Sequence, residues 1–371
     1  MNNKPIFKYQ IISNFDWVIF GLTIIISAIG ILTIYSTSGG IGRESVIYIK
    51  QIYWILYGLT GMLLILFIDY HSLEKLAYVF YFMIIVVLII VAVSGKTVSG
   101  ARRWLTFAQF TFQPSELAKI IIIITLARYF DDRKARGLYR IRDLIIPAVI
   151  VFVPAILIAK QPDLGTAVVL LFIFVSMSLL VGIKIRSLFI LAGSSIVSLP
   201  FLWYFMKDYQ KNRILTFINP QADPLGSGYH IIQSKIAIGS GGYMGKGFMS
   251  GTQSQLNFLP EKHTDFIFSV FAEEMGFIGA VFLIVLYVIL LVKGVDVIYH
   301  SRDRSGSLIA GGIVSMLSFH MIFNIGMTTG MFPVVGIPLP LMSYGGSYLV
   351  TTFISIGLLL NIKMRRFVDM G

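Results

Sequence analysis

The sequence predicts an all-α integral membrane protein with about ten transmembrane helices and one long extracytoplasmic loop. Of the 371 residues, 56% are hydrophobic and 13% are charged, whereas soluble chains average about 25% charged residues. The mean hydropathy is +0.82. Because one crossing of the bilayer takes about 20 apolar residues, a chain of 371 residues can supply about ten crossings. This composition excludes disordered, collagen-like and coiled-coil proteins.

Ten apolar segments are long enough to cross the bilayer. They cover residues 17–35, 52–68, 76–93, 114–129, 144–159, 165–181, 188–205, 266–292, 308–327 and 344–362. The first segment has no convincing small-residue cleavage site and is expected to remain as an anchor. We expect residues 1–371 to form a single polytopic membrane domain, with residues 206–265 as its large outer loop.

The distribution of Lys and Arg predicts the orientation of the chain. Ten spans place both termini on one side, where 17 basic residues fall, against 12 on the other side, six of them in the long loop. Long loops are translocated largely regardless of charge, which leaves 17 against 6 and predicts cytoplasmic termini. The net charge of +12 then reflects this asymmetry and anionic lipids rather than a nucleic-acid partner.

The polar residues predict chemistry on the outer face, because they concentrate at outer helix ends and in the long loop. The chain has no cysteine, so any catalysis must use carboxylates, His, Lys, Ser or backbone dipoles. Within the loop, residues 228–238 predict a short interfacial helix with Tyr229, Ile232 and Ile236 on its apolar face. This helix could be a plug that packs on the bundle or one wall of a cleft for an amphiphilic substrate.

The densest titratable cluster consists of Glu261, Lys262, His263 and Asp265, directly before an apolar span. Thr264 or Asp265 could simply cap the helix of that span. Alternatively, a carboxylate at the membrane boundary could act as a general base for a sugar hydroxyl, while Lys262 and His263 hold a phosphate. Ligation of a metal ion by Glu261, His263 and Asp265 is a third alternative.

Glu273 and Glu274 follow inside the segment 266–292, which is longer than one crossing requires. We therefore expect this helix to break, with a surface segment over about 264–272 and a span from about 275 to 292. Such a break would keep both glutamates near the interface, where a charge costs less than inside the membrane.

Two neighbouring segments add charged residues on the same side. The fourth span begins with Pro114, which suits a first helical turn, and Glu116 lies three residues before Lys119. That spacing puts both side chains on one helix face and predicts an ion pair inside the membrane. In the preceding loop, Arg102 and Arg103 could anchor the interface or clamp a phosphate.

Two more loops on this side carry candidate residues. Lys160 and Asp163 lie in a polar hairpin, where Asp163 is expected to cap the following helix. Residues 330–347 are apolar but contain three prolines, so they are predicted to form a re-entrant loop rather than one helix. Near its end, Ser343 offers a hydroxyl to an anionic ligand.

These motifs together resemble those of the SEDS family, over essentially the whole chain. The matching segments are Arg-Arg-Trp at 102–104, Gln-Pro-Ser-Glu-Leu-Ala-Lys at 113–119, Gln-Pro-Asp-Leu-Gly-Thr at 161–166, His-Thr-Asp-Phe-Ile-Phe at 263–268 and Pro-Leu-Pro-Leu-Met-Ser-Tyr-Gly-Gly at 338–346. Residues 219–230 and 251–261 resemble the elongation-type members of the family more than the division-type members.

The resemblance implies a ten-helix peptidoglycan glycosyltransferase of the bacterial cytoplasmic membrane, which polymerises lipid II on the outer face during cell elongation. It also implies a class B penicillin-binding protein, a transpeptidase, as partner, together with other membrane proteins of the elongation complex. Asp265 would be the catalytic residue that deprotonates the acceptor 4-hydroxyl in an inverting reaction. Mg²⁺ or Mn²⁺ is left open as a cofactor. The expected substrate-binding residues are Arg102, Arg103, Glu116, Lys119, Lys160, Asp163, Arg213, Lys262, His263 and Ser343.

Two other functions compete with this enzyme. One is a lipid II flippase and the other is a non-catalytic scaffold of the elongation machinery. A flippase needs polar groups along a path through the bilayer, whereas here they gather on one side. A scaffold needs no titratable cluster at a membrane cleft. The sequence therefore favours the enzyme.

Overall fold

The structure, a computed structural model, covers most of the predicted spans. It describes residues 14–38, 46–98, 101–107, 110–133, 138–187, 206–223, 226–256, 258–259 and 261–366, with a few residues between 189 and 204. The predicted span over 188–205 lies largely outside the described residues.

Each of the other nine predicted spans falls on a helix in the described part of the chain. The helices are α1 Trp17–Thr37, α2 Val46–Phe67, α3 Tyr70–Lys75, α4 Ala77–Ser94, α5 Pro114–Asp132, α6 Ile145–Lys160, α7 Leu164–Val181, α8 Asp208–Ile218, α9 Ser227–Ser240, α10 Thr252–Gln255, α11 Ile267–Tyr299, α12 Arg304–Thr328 and α13 Gly346–Met364. Eight of them are long and apolar enough to cross a membrane, and α5 lies on the remaining predicted span. The predicted helical membrane fold is confirmed.

The last two helices form the centre of the bundle. Most residues of α12 and α13 are buried, whereas few residues of α2 and α4 are. Glycines bring α2 and α13 together, because a Cβ on Gly58 would lie 2.7 Å from the Phe353 ring and one on Gly357 2.5 Å from Ile65. Such small residues are typical of contacts between membrane helices, where close packing replaces the hydrophobic effect.

Three short strands interrupt the helices between α4 and α5, which the sequence did not predict. They are β1 Lys96–Val98, β2 Ala101–Phe107 and β3 Phe110–Phe112. Both pairs are antiparallel, in the order β1-β2-β3. Arg102 and Arg103 thus lie on a strand, whose ladder fixes their backbone more firmly than a loop would. At its far end, the chain enters α5 through Pro114 in the first turn, as predicted.

The long segment before α11 contains the predicted helix, α9, but its buried face differs from the predicted one. Ile231, Ser234 and Ala237 are buried, whereas Ile236 is 44% exposed. The polar Ser234 lies on the inner face because its hydroxyl bonds to Ser269 Oγ at 2.7 Å and to a backbone carbonyl of α12 at 2.6 Å. The position of α9 at the membrane interface remains a prediction.

Helix α11 breaks at Gly276, close to the predicted position. Gly276 has φ +67° and ψ −165°, which interrupts the helical conformation. The backbone of the preceding loop wraps around the break, since Phe277 N donates to Gly242 O at 2.8 Å and Lys246 N donates to Glu273 O at 3.0 Å. Only glycine fits there, because a Cβ on Gly276 would lie 2.2 Å from Gly245 N.

The expectation that this break would spare both glutamates from burial is wrong, because Glu273 and Glu274 are 0% and 2% exposed. Their position near the membrane interface remains a prediction. Glu273 Oε1 accepts hydrogen bonds from Lys246 Nζ at 2.7 Å, Thr252 Oγ1 at 3.1 Å and a backbone N–H at 3.0 Å. Glu274 accepts one from the Ser36 hydroxyl. Protein donors thus replace the water that the sequence argument assumed.

The predicted ion pair inside α5 is present. Lys119 Nζ lies 2.8 Å from Glu116 Oε2, and both side chains are almost completely buried. The ammonium also lies 3.3 Å from His320 Nε2 and 5.1 Å from the centre of the Tyr348 ring. His320 Nδ1 is 2.7 Å from the carbonyl of Met316. Because a carbonyl only accepts, Nδ1 carries the proton and Nε2 accepts a hydrogen bond from Lys119.

We predict that Glu116 and Lys119 are energetically coupled. Lys119→Met alone should lower the free energy of unfolding by about 3–5 kcal/mol, because it leaves a buried carboxylate without its counter-ion. The double variant Glu116→Gln, Lys119→Met should lose less than the sum of the single losses. Thermal unfolding in detergent micelles measures the four species of the cycle.

The more exposed pair Arg128 and Asp132, whose charged atoms are 2.8 Å apart on the same helix, serves as the control. Arg128 also lies 3.5 Å from the buried Glu74, and the double-mutant cycle with Asp132 separates that contact from the pair. Its coupling should reach only about 0.3–0.5 kcal/mol, because solvent screens it. Additive losses for Glu116 and Lys119 would mean that the buried pair is not coupled.

Candidate active site

Three successive backbone carbonyls hold the segment before α11 in place. The carbonyl of His263 accepts from Tyr344 N at 2.8 Å, that of Thr264 from Ser343 Oγ at 2.7 Å and that of Asp265 from Asn324 Nδ2 at 2.9 Å. The donors come from α12 and from the loop before α13. This clamp, defined as these three hydrogen bonds, fixes the backbone and leaves the side chains to other uses.

The loop that supplies two of these donors is irregular, as predicted for residues 330–347, and much of it is buried. Ser343 closes the turn over residues 339–343 and ties it to the clamped segment, because its hydroxyl accepts from Leu339 N at 2.8 Å while donating to the Thr264 carbonyl. Gln51 Nε2 on α2 donates to the Ser343 carbonyl at 3.2 Å. Ser343 was predicted to bind an anion, and here its hydroxyl is engaged in the clamp; substrate binding by it remains a prediction.

The Asp265 carboxylate does not cap the helix that follows it. The N-cap of α11 is Phe266, with no side-chain capping bond, and the Thr264 hydroxyl instead donates to Glu261 Oε2 at 3.1 Å. Among the described residues, the Asp265 carboxylate has no hydrogen-bond or ion-pair partner, although the residue is partly buried. The capping alternative is therefore excluded for both residues.

The surroundings of Asp265 raise the pKa of its carboxyl group to about 6. Burial is the largest cause, because it disfavours the charged form, and the negative charge of Glu261 adds to it. The positive charges of Arg103 and Arg213 lower the pKa and only partly offset these effects. A carboxylate with this pKa is mostly ionised at pH 7 yet accepts a proton readily, as a general base requires.

Glu261 lies close to Asp265 because the chain turns sharply there. Its φ is +50°, a left-handed conformation that is strained for a residue with a side chain. Its carbonyl accepts from Thr264 N at 3.1 Å and Phe266 N at 3.4 Å, which closes the turn. Strain of this kind persists where the surrounding structure imposes it, often at functional sites.

The other predicted site residues near Asp265 differ in their burial and contacts. His263 Nδ1 is 2.7 Å from Thr37 Oγ1 at the end of α1. Lys262 is buried and donates to the carbonyl of Ser254 at 3.1 Å. Arg213, on α8, is close enough to Asp265 to act on its charge. Substrate binding by these residues remains a prediction.

The remaining predicted residues are spread around this centre. Glu116 and Lys119 form the buried pair of α5, and Arg103 acts electrostatically on both Glu116 and Asp265. Lys160 is exposed in the last turn of α6. The side chain of Arg102 lies outside the described part of the structure.

Asp163 caps α7 as predicted, accepting from Thr166 N at 3.2 Å. Its second oxygen accepts from Gln113 Nε2 at 2.8 Å and Ser115 Oγ at 3.1 Å, which joins the starts of α5 and α7. Asp163 therefore contributes to the site by holding the starts of α5 and α7 together. Whether it also binds substrate remains a prediction.

Sequence reasoning missed Asn324, which completes the clamp. Its Nδ2 donates both to the Asp265 carbonyl and, at 2.7 Å, to the carbonyl of Ile337. The residue is 0% exposed. The sequence did contain a signal for it: Asn324 is a polar residue within an apolar span, where burying a polar group costs free energy and usually requires a specific partner. His320, one turn earlier on the same helix, carried the same signal.

Two apolar cavities flank α11 but do not include Asp265. One, of about 600 Å³, is lined by Phe268, Ala272 and Phe277 among others, and the second, of about 410 Å³, by Phe271 and Met275. In the described part of the chain, no three His, Asp or Glu side chains come together in a metal-binding group. The metal alternative for residues 261–265 thus gains no support from the arrangement of these side chains.

Comparisons with known proteins agree with one another. The profile of the family FTSW_RODA_SPOVE, described as "Cell cycle protein", matches residues 10–367. The peptidoglycan glycosyltransferase MrdB of Escherichia coli strain K12 is 40% identical over 337 residues, which cover 90% of each chain. The peptidoglycan glycosyltransferase RodA of Treponema pallidum is 34% identical and covers 96% of this chain and 99% of its own.

Solved structures extend the likeness to the fold. A chain of a structure described as "Structural coordination of polymerization and crosslinking by a peptidoglycan synthase complex" has a TM-score of 0.83 at 34% identity, over 96% of this chain and 99% of that chain. RodA of Thermus thermophilus has a TM-score of 0.72 at 29% identity, over 96% and 98%. The chain therefore belongs to the FtsW, RodA and SpoVE family of cell cycle proteins, the family that its motifs resemble.

Proposed function

We propose that this protein is a peptidoglycan glycosyltransferase of the elongation type, which polymerises lipid II at the outer face of the bacterial cytoplasmic membrane. The observation that carries the proposal is the Asp265 carboxylate, which no described residue pairs with, which a clamped backbone holds in place and whose pKa is raised to about 6. The names of the relatives, which are glycosyltransferases of peptidoglycan, support the same activity. We further propose that both termini are cytoplasmic, which the greater number of basic residues on their side of the membrane supports.

The reaction is a single displacement in which Asp265 is the general base. Asp265 takes the proton from the 4-hydroxyl of the acceptor GlcNAc as the oxygen attacks the anomeric carbon of the donor sugar. A new carbon–oxygen bond forms while the bond to undecaprenyl diphosphate breaks, and the diphosphate leaves with the bonding electrons. Attack from the opposite side inverts the configuration at the anomeric carbon.

The diphosphate needs positive charge as it leaves, because its negative charge grows in the transition state. Arg103 and Arg213 are the best candidates, since both act on the charge of Asp265 and are therefore near the reacting groups. A guanidinium can contact two phosphate oxygens at once. Arg102, Lys119, Lys160, Lys262, His263 and Ser343 are the other proposed contacts. A divalent cation would supply the same charge stabilisation if the reaction uses one.

A flippase is the second candidate function, and the buried Glu116 and Lys119 are the observation that favours it. A carrier places charged groups within the membrane along its pathway. However, both charges are already satisfied by each other and by His320. The polymerase accounts for Asp265, which the flippase leaves without a role.

We further propose that the protein works with a class B penicillin-binding protein, alongside other membrane proteins of the elongation complex. The structural relative that coordinates polymerisation and crosslinking in a synthase complex supports this partnership. The longest outer loop has about 60 residues, too few for a separate crosslinking domain. Contact between the two proteins is expected partly through lipid-facing helices, by close packing and polar contacts.

Asp265→Asn should abolish polymerisation, because the amide is nearly isosteric but cannot accept the proton. The loss of a general base typically lowers the rate by about 10²- to 10⁴-fold. Glycan chains made from labelled lipid II by the purified protein, with its partner present, provide the measurement. Expression and partner binding should be unchanged.

Asp208→Asn is the matched control, because Asp208 lies exposed at the start of α8 in the same outer loop. It makes the same chemical change and should keep the full rate. A well-folded Asp265→Asn protein that makes glycan at the wild-type rate would exclude Asp265 as the base.

The rate of polymerisation should fall as the pH drops through about 6, the pKa of Asp265. The ionised carboxylate accepts the proton, so the base is fully available above the pKa and is lost below it, by about tenfold for each further pH unit. Glu261→Gln removes a negative charge that raises this pKa and should move the midpoint to lower pH. A rate that is flat between pH 5 and 8 in both proteins would contradict the assignment.

Polymerisation should be faster with the penicillin-binding protein than without it. We would compare three preparations in detergent: this chain alone, the pair, and the pair with the transpeptidase serine inactivated. The intact pair and the pair with the inactivated serine should polymerise at the same rate, because polymerisation and crosslinking occur on different chains. Equal rates in all three would mean that the partner is not an activator. Loss of polymer only with the inactivated serine would move the polymerase to the other chain.

A further inference from the structure

Gly336 lies directly against the Asp265 carboxylate. A Cβ built on Gly336 would be 3.3 Å from Asp265 Oδ2, closer than most real Cβ contacts, and apart from its chain neighbours no other described atom would lie within 4 Å of it. Gly336 itself is exposed and has φ +75°. The exposed backbone of this one residue, which has no side chain, therefore borders the oxygen that is to accept the proton.

The gap between these two residues is fixed. Asn324 Nδ2 donates both to the Asp265 carbonyl and to the carbonyl of Ile337, the residue after Gly336. On its other side, the loop packs on the first turn of α7, where a Cβ on Gly165 would lie 3.1 Å from the Val335 carbonyl. Because both sides are held, the loop cannot simply move away from an added side chain.

We propose that the exposed backbone at Gly336 is the docking surface for the acceptor sugar, which brings its hydroxyl to Asp265 Oδ2. The inference rests on the proposed function and adds a subsite to it. A pyranose ring has an apolar face of C–H groups and a rim of hydroxyls, so its face packs on bare backbone while one hydroxyl points sideways to the carboxylate. Such close approach to a ligand is a known use of glycine.

The competing explanation is that residue 336 is glycine only because of its positive φ. Gly242 separates the two explanations, because its φ is +56° and a Cβ there would meet nothing within 4 Å. Replacement of either glycine imposes a similar backbone strain. Only replacement of Gly336 adds atoms next to Asp265.

The absence of cysteine in the natural chain allows a direct test of occupancy. We would introduce Gly336→Cys and, separately, Gly242→Cys into the Asp265→Asn protein, which cannot consume its substrate. Each thiol is then labelled with a water-soluble maleimide in detergent, with and without lipid II. At lipid II concentrations about ten times the Kd, labelling at position 336 should slow by about tenfold and labelling at position 242 should not change.

A kinetic arm uses the protein with Asp265 intact. Gly336→Ala should raise the KM for lipid II or lower kcat by at least about tenfold, while Gly242→Ala keeps the wild-type values. Melting temperatures of the two variants confirm that both are folded. Unchanged labelling at position 336 with lipid II present would overturn the docking surface, as would equal kinetics of the two alanine variants.

The experiments distinguish failure of the proposed function from failure of the acceptor subsite. If the unsubstituted protein with its partner makes no glycan, or if Asp265→Asn makes it normally, the polymerase assignment falls and the acceptor subsite falls with it. If glycan synthesis depends on Asp265 but position 336 stays equally reactive with lipid II, only the acceptor subsite is wrong.

Discussion

The side-chain amide of Asn324 is the contact on which the rest of the site depends. It joins α12 and the loop that follows it to the segment before α11, which lies 59 residues earlier in the chain. A buried backbone carbonyl without a partner costs about 1–3 kcal/mol, and Asn324 satisfies two of them with one group. Because the amide is buried and bonds to both segments, the distance between Asp265 and the loop is set by the protein core rather than by flexible surface turns.

In residues 263–265, the backbone and the Asp265 side chain have different roles. Their carbonyls hold the structure together, which leaves the Asp265 side chain without a structural task. A carboxylate that capped α11 would have been stabilised in its charged form and would have been a poorer base. Instead, burial and Glu261 raise the pKa, while Arg103 and Arg213 limit the rise to about 6. The balance of these effects suits the general-base role that we propose for Asp265 at neutral pH.

Much of the fold could be predicted because hydrophobic length alone decides where a chain crosses a bilayer. The Glu116–Lys119 pair and the Asp163 cap followed from local spacing in the same way. The inner face of α9 and the burial of Glu273 could not be predicted, because each depends on partners far away in sequence. The β-strands pair locally, but hydrophobic length alone does not reveal such short strands. Ser234 turns inward only because Ser269 and α12 offer hydrogen bonds. Glu273 is buried only because Lys246 and Thr252 reach it.

The basic residues looked equivalent in the sequence, but their contacts in the structure distinguish them. Lys119 contacts Glu116, His320 and Tyr348 inside the bundle. Lys262 is buried, and its ammonium donates a hydrogen bond to a backbone carbonyl. Reaching a phosphate would require either group to give up contacts that compensate its burial, which is costly for a desolvated charge. Arg103 and Arg213 are partly exposed and act on Asp265 from a strand and from a separate helix. Since a guanidinium stays charged at any working pH and fits phosphate oxygens in pairs, we propose Arg103 and Arg213 as the first contacts of the leaving diphosphate, ahead of Lys119 and Lys262.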